Sequence, residues 1–476
     1  MDPNTFAYLI LGLWPLIGIG LFQWLPPARA FLANLFLSYL FLPPFPTQFD
    51  LPLLPPLDKD TLPAFTMLAA LLSARMRDHL AQHPLLPQSV VLRMVLLIFV
   101  LSPVLTVIVN TDAQFTGRVG LPGLGLRDAI SLVLTRLVMV VPMVMAYSLL
   151  RREDDLREML MAFALFGLIY SLPMLVEIRL SPQLNNWIYG FYQHLFDQAI
   201  RFGGFRPVVF LYHGIWVAFF TMTAMVAAAT LARHQSGPQR ARAIVVSLYL
   251  FAVLVLCKSV GALLFALLLL PLVLGLSVRL QVAVATTVAL VALAYPLLKG
   301  AGLLPEQALL DLFSRISPER AASLQFRLNN EAILLERANE RPLLGWGSWG
   351  RNQVFNPITG RETISDGRWI IALGFYGWLG FGAEMLLLAA PILVLFWRFG
   401  ALQAAGISPL SGAIALTLAI NILDLLPNAT LTPLTWLLTG ALLGHCEHIT
   451  QRGPRAEGSA SAAQHEPRKK GLQSVI

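Results

Sequence analysis

Arginines at positions 327, 341, 351, 361 and 368 gather in one stretch of chain with Asp366 near its end. A guanidinium fork matches two phosphate oxygens at once, and a nearby carboxylate can take a proton from a hydroxyl. These residue types suit group transfer from a phosphate-bearing substrate. A second set lies upstream: Arg206 and His213 in "FRPVVFLYHG" (205–214), and Lys258 in "LCKSVG" (256–261).

In the first stretch, "GWGSWGR" (345–351) places Gly345, Gly347 and Gly350 at the spacing of a dinucleotide fingerprint. That fingerprint works between a strand and the start of a helix, where bare backbone meets a pyrophosphate. Here Trp346 and Trp349 fill the variable positions and would crowd such a cradle. The glycines read instead as tight turns and the indoles as membrane-interface residues. A phosphate at this place would be met by arginine side chains.

The elements that must position these residues are membrane helices. The 476-residue chain is 57% hydrophobic and 13% charged, with a mean hydropathy of +0.68. Soluble domains carry about 25% charged residues. Apolar runs approach or exceed the roughly 20 residues that span a bilayer. They predict an all-α polytopic bundle of about 12 or 13 spans. The runs lie near 6–24, 30–44, 61–74, 90–109, 129–150, 158–176, 208–232, 243–256, 259–277, 280–298, 369–397, 408–426 and 431–446. The first lacks the basic start and small-residue cleavage site of a signal peptide.

Arginine and lysine cluster in the short loops 75–93, 151–157 and 233–242 and in the tail, which places these in the cytoplasm. Segments 178–207 and 299–368 then face outward. The chain divides into membrane helices over 1–298, an extracytoplasmic helical loop over 299–368, the last membrane helices over 369–448 and a disordered cytoplasmic tail over 449–476. The net charge of +8 follows topology, so no nucleic-acid partner is expected. Cys257 and Cys446 fall at opposite faces and cannot pair.

Residues 319–340 place apolar side chains at 321, 324, 328, 332, 335 and 338, the stripe of an amphipathic helix. Arg327 on that helix either pairs with Glu331 one turn on or binds an anion. Ser365 or Asp366 would cap the next helix, which is compatible with a catalytic carboxylate at its mouth. Arg136 falls mid-span and needs a partner inside the protein, with Glu384 and Asp424 as the candidates. His213, placed inside its span, reads as a packing histidine or a substrate contact. The two long outward loops hold no Asp-x-Asp pair and no metal-ligand spacing, so transfer without metal or cofactor is expected.

The pattern over about 323–395 resembles the O-antigen ligase and polymerase superfamily of bacterial surface-polysaccharide enzymes. That family carries Ser and Arg on an outward helix, then a Pro-(Leu)-Gly-x-Gly turn, then a polar catalytic residue at the mouth of a glycine-containing span. The matching residues are Ser323 and Arg327, "RPLLGWG" (341–347), Asp366 with Gly367, and "GFYGWLGFG" (374–382). "FRPVVFLYHG" is similar to its Arg-Pro span entry, and "LCKSVGALLFALLLL" (256–270) to its Ser-Arg-Gly-Ala-Leu turn. The chain departs in having Asp366 where the ligases carry histidine, and Val260 where the turn arginine would stand.

The resemblance implies a GT-C-like membrane glycosyltransferase of the bacterial inner membrane, with its active face outside the cytoplasm. It would move or polymerise glycan from a polyprenyl-diphosphate carrier onto a hydroxyl of a glycan or lipid acceptor, amid membrane lipids and other polysaccharide-assembly proteins. Asp366, Arg327 and Arg206 would be catalytic; Lys258, Arg351 and Arg368 would bind the donor diphosphate, with His213 and Arg341 as weaker substrate contacts. Two other readings stay open: a polysaccharide or lipid-linked sugar transporter relying on Arg136, Asp424 and Glu384, and a structural partner in an envelope assembly.

Overall fold

The computed structural model describes residues 2–117 and 119–452. Three helices, α1 (Thr5–Trp24), α2 (Pro27–Phe41) and α3 (Thr61–Ala70), precede a short polar α4 (Ala74–Gln82) and α5 (Val90–Ile108). A hairpin of β1 (Gln114–Thr116) and β2 (Val119–Leu121) leads to α6 (Leu126–Leu149) and α7 (Glu153–Leu180). Then come α8 (Leu184–Tyr189), a second hairpin of β3 (Ile200–Arg201) and β4 (Gly204–Phe205), and α9 (Gly214–His234). After α10 (Gly237–Leu256), α11 (Val260–Gly275) and α12 (Val278–Gly300), the large loop holds α13 (Glu306–Ile316) and α14 (Pro318–Asn339). The chain continues through α15 (Arg368–Trp397), α16 (Phe399–Ala404), α17 (Leu410–Asp424) and α18 (Pro433–Arg452).

Among the described residues, eight helices are long and apolar enough to cross a membrane: α1, α5, α6, α7, α9, α10, α12 and α15. This is a multi-pass helical membrane architecture. Each of the thirteen expected runs falls on a helix, although α3, α11 and α17 are shorter than a full span. Of the eight, the alanine-rich α9 is the most enclosed, its apolar window being 89% buried against 22% for α10. Small side chains permit such close approach, and lipid solvates the remaining apolar faces. Gly440 and Gly444 likewise let α18 lie on the carbonyls of Met143 and Tyr147 in α6, where no Cβ would fit.

Several boundaries differ from the sequence reading. The span expected to start at 208 starts at Gly214, because residues 206–213 are held in a folded-back entry segment: Glu177 Oε2 accepts the amides of Val208 and Val209, each at 2.8 Å. His213 is therefore the N-cap of α9 and not a residue within a span. The last helix runs to Arg452, so residues 449–452 belong to α18, while 453–476 of the expected tail lie outside the described residues. Helix α13 lies in a stretch read only as loop.

Arg136 finds Glu384 and not Asp424. Its guanidinium donates to Glu384 Oε2 at 2.6 Å and sits 4.2 Å from the centre of the Phe99 ring and 3.9 Å from that of Tyr376. Arg368 holds the same carboxylate through two bonds of 2.7 and 2.8 Å. Asp424 instead accepts from Asn428 at 2.9 Å and Thr430 at 2.5 Å, closing its own turn. Cys257 and Cys446 are both buried and free.

Helix α15 is broken at Gly377, whose φ of 61° and ψ of −167° leave the helical region. A break inside an apolar helix frees backbone groups that lipid cannot satisfy. The segment 342–347 satisfies them. Trp346 and Gly347 donate their amides to the carbonyls of Gly374 and Phe375 at 2.8 and 2.9 Å. The amides of Trp378 and Leu379 donate to the carbonyls of Pro342 and Leu343 at 2.7 and 3.2 Å. Gly345 and Gly377 both have positive φ, and a Cβ on either would meet the other segment's backbone. From the other side, Thr106 donates to Leu344 O at 2.6 Å and Asn110 to Gly345 O at 3.0 Å. The "GWG" glycines thus plug a broken helix and bring the 299–368 loop to the mouth of α15.

Candidate functional site

The buried stripe of α14 is Leu328, Glu331, Leu334, Leu335 and Ala338, with Ala332 exposed. Glu331 replaces the expected alanine on that stripe because α12 supplies partners: Lys299 Nζ lies 3.4 Å from Glu331 Oε2, and Tyr295 donates to the same oxygen at 3.1 Å. With Glu331 engaged there, the ion-pair partner of Arg327 is Asp366, at 3.4 Å between Nε and Oδ2. Asn330, one turn on from Arg327, accepts the amide of Ile364 at 3.1 Å and docks the segment carrying Asp366 onto α14.

Asp366 is free for this contact because it does not cap α15. The N-cap is Gly367, and the Arg368 amide donates to the carbonyls of Leu425 and Asn428 at 2.9 and 3.1 Å. Gly367 lies too close to the Leu426 carbonyl to carry a side chain. Ser365, the other expected cap, accepts from Gln353 at 2.9 Å.

Arg206 is 6% exposed and lies across Gly214 at the start of α9. It donates to Ser259 Oγ at 3.1 Å, and its Nε has no acceptor among the described residues. Burial first, then the charge of Arg201, brings its pKa down to about 10. Lys258, next in sequence to Ser259, adopts a positive φ and donates to the Phe202 carbonyl of the β3–β4 hairpin at 3.3 Å. The two upstream motifs therefore meet through Arg206–Ser259 and Lys258–Phe202.

His213 stands beside this set as the N-cap of α9. Its Nδ1 accepts the Ile215 amide at 3.0 Å and its Nε2 lies 3.3 Å from Gln198 Oε1. Burial, followed by the charges of Arg206, His194, Arg201 and Arg327, pushes the imidazole down to about 3.

No family model matches the chain, and no curated protein matches it. The functional reading therefore rests on the residues themselves.

Four expected ligand contacts are engaged in framework roles. Arg351 is 1% exposed and donates to the carbonyls of Trp346, Pro122 and Asp112 at 3.2, 2.7 and 3.0 Å, so its fork fastens the loop to the β1–β2 hairpin region. Arg368 is committed to Glu384. Arg341 donates to Val109 O and to Asn110 Oδ1, and lies 4.3 Å over the Trp346 ring. Both nitrogens of His213 face protein partners. Arg327, Asp366, Arg206 and Lys258 remain as the group with chemistry to offer.

Sequence reasoning passed over two features. Glu177 orders the entry segment, its Oε1 also accepting the Leu184 amide at 3.0 Å. "DKD" at 58–60 is an Asp-x-Asp pair in the loop before α3. Asp58 there accepts the amides of Asp60 and Thr61 at 3.0 and 2.9 Å, and Lys59 donates to the Phe210 carbonyl at 2.7 Å. Asp60 accepts from Tyr212 at 2.8 Å.

Proposed function

We propose that the protein is an integral-membrane glycosyltransferase that takes glycan from a polyprenyl-diphosphate carrier at the outer face of a bacterial inner membrane, in a GT-C-like frame. The observation that carries this reading is the Arg327–Asp366 pair, brought from two separate elements to the mouth of α15 and left partly open to solvent. A transferase of this kind needs a base for the acceptor hydroxyl and cations for the departing diphosphate.

Asp366 takes the proton as the acceptor oxygen attacks the anomeric carbon of the donor glycan. The new carbon–oxygen bond forms while the bond to the diphosphate breaks, and the diphosphate leaves with the electron pair. Arg327, Arg206 and Lys258 stabilise the charge that develops on it. The donor brings its own leaving group, so the reaction needs no nucleotide. The transporter reading has less support, because Arg136 and Glu384 form a closed group with Arg368 and Asp424 closes its own turn.

The experiment is analysis of lipid-linked intermediates and surface glycan in a deletion strain complemented with wild type, Arg327→Ala or Asp366→Ala. Restoration by wild type alone, with lipid-linked glycan accumulating in the variants, is expected. Accumulated single units indicate polymerisation and accumulated full-length chains indicate ligation. Normal surface glycan from both variants contradicts the proposal.

A further inference from the structure

A cavity of about 140 Å³ lies at the same end of the bundle, with Asp60, Thr61, Thr135, Trp216, Thr432 and Trp436 in its wall. It is an order of magnitude larger than the ~10–15 Å³ that admits one water. Its wall is drawn from the loop before α3, from α6, from the start of α9 and from the turn before α18. That turn also supplies the Leu425 and Asn428 carbonyls that receive the first amide of α15.

The chemistry of the wall is specific. Among the described residues it contains no lysine or arginine, in contrast to the arginine-bearing face beside Asp366. Asp60 has one oxygen fixed by the Tyr212 hydroxyl at 2.8 Å. Burial, then the charge of Asp58, pushes its carboxyl up to about 6, so at neutral pH it is an ionised acceptor in partly dry surroundings. The Trp216 ring stands 5.2 Å from that of Tyr212, steeply inclined to it. Trp436 is 1% exposed, and its ring centre lies 5.7 Å from that of Phe99. Thr135 spends its hydroxyl hydrogen on the Ser131 carbonyl at 2.8 Å and keeps lone pairs to accept with.

A ligand matching this wall is uncharged, has hydroxyls to donate to the Asp60 carboxylate and the Thr135 oxygen, and has an apolar face to lie on an aromatic ring. A pyranose has all of these. We infer that the cavity around Asp60, Trp216 and Trp436 is a binding site for one pyranose unit, separate from the Arg327–Asp366 face. That this sugar belongs to the transferred or receiving glycan rests on the transferase reading; the binding itself does not.

The test uses the full-length protein in phospholipid nanodiscs free of sugar detergents. Free hexoses and N-acetylhexosamines are titrated one at a time, read by saturation-transfer NMR and tryptophan fluorescence. At least one sugar is expected to saturate the wild type without being displaced by inorganic diphosphate. Asp60→Asn and Trp216→Phe are each expected to weaken it roughly tenfold, the effect of losing one charge-assisted bond or a ring contact, while Asp366→Asn leaves it unchanged. Thr135→Val, which keeps the side-chain shape, serves if Asp60→Asn does not fold. The inference is overturned if no sugar of the panel binds the wild type, or if the cavity variants bind as the wild type does. Binding without glycan transfer would leave this site standing and remove the transferase reading, and transfer unaffected by Asp60→Asn, with no sugar binding, would do the reverse.

Discussion

Arg327 Nε lies 3.4 Å from Asp366 Oδ2, joining the middle of α14 to the mouth of α15. The two side chains are 41% and 35% exposed, so solvent screens their attraction and the pair adds about 0–1 kcal/mol to stability. Removing either residue should therefore leave the fold intact. Arg327→Ala and Asp366→Ala are expected to lower the thermal midpoint by no more than that energy allows, measured by unfolding in detergent, while surface glycan is lost. A large drop in stability would make the pair structural.

The Arg136–Glu384–Arg368 group is different, because Arg136 and Glu384 are 1% exposed or less. Taking away the one carboxylate leaves two guanidiniums without compensation, at about 3–5 kcal/mol. Glu384→Gln should fail to accumulate or should unfold at much lower denaturant. Arg136→Met should be milder, since Glu384 keeps both bonds from Arg368. Equal stability of Glu384→Gln and wild type would contradict the buried group.

Gly345 and Gly377 hold the loop in the broken helix. Alanine at either position meets opposing backbone and a positive φ, a strain of about 1–3 kcal/mol or more. Hydrogen exchange reads the outcome. The amides of Trp346, Gly347, Trp378 and Leu379 should exchange slowly in the wild type and quickly in Gly377→Ala. Slow exchange in the variant would show that the loop does not depend on the break.

His213 gives a pH signature. Unfolded histidine takes up a proton near pH 6.5, whereas burial and the surrounding cations hold His213 neutral to about 3. The unfolded chain then binds more protons between those values, so stability is full above about pH 6.5 and falls as pH drops, by up to about 1.4 kcal/mol per unit. Subtracting the stability profile of His213→Gln from that of the wild type between pH 7 and 4.5 should isolate this slope. A flat difference would mean the imidazole is not held neutral.

The apolar runs made most of the helices legible, because twenty-residue hydrophobic stretches have few alternatives in a bilayer. Other features depend on partners distant in sequence. Nothing local shows that "PVVFLYHG" is held as an entry segment, since the Glu177 carboxylate that orders it lies on α7. Glu331 sits on the buried stripe of α14 because Lys299 and Tyr295 on α12 receive it. The "GWG" glycines make sense only beside the break at Gly377, and Arg351 is engaged by carbonyls of the 112–122 region. Two signals were readable: the helical spacing of Leu309, Leu310 and Phe313 marked α13, and "DKD" marked Asp60. Arg327 and Asp366 were singled out through the family resemblance, but their pairing was not legible, because Glu331 stood one turn from Arg327 as the local partner.

The most direct measurement of the central claim is turnover by the purified full-length protein in nanodiscs, supplied with a polyprenyl-diphosphate oligosaccharide and an acceptor glycan. The account predicts acceptor-dependent release of polyprenyl diphosphate that persists in a metal chelator and falls by at least about 10²-fold in Asp366→Ala, the usual share of a general base. No release by the wild type, or release by Asp366→Ala and Arg327→Ala at the wild-type rate, would contradict it.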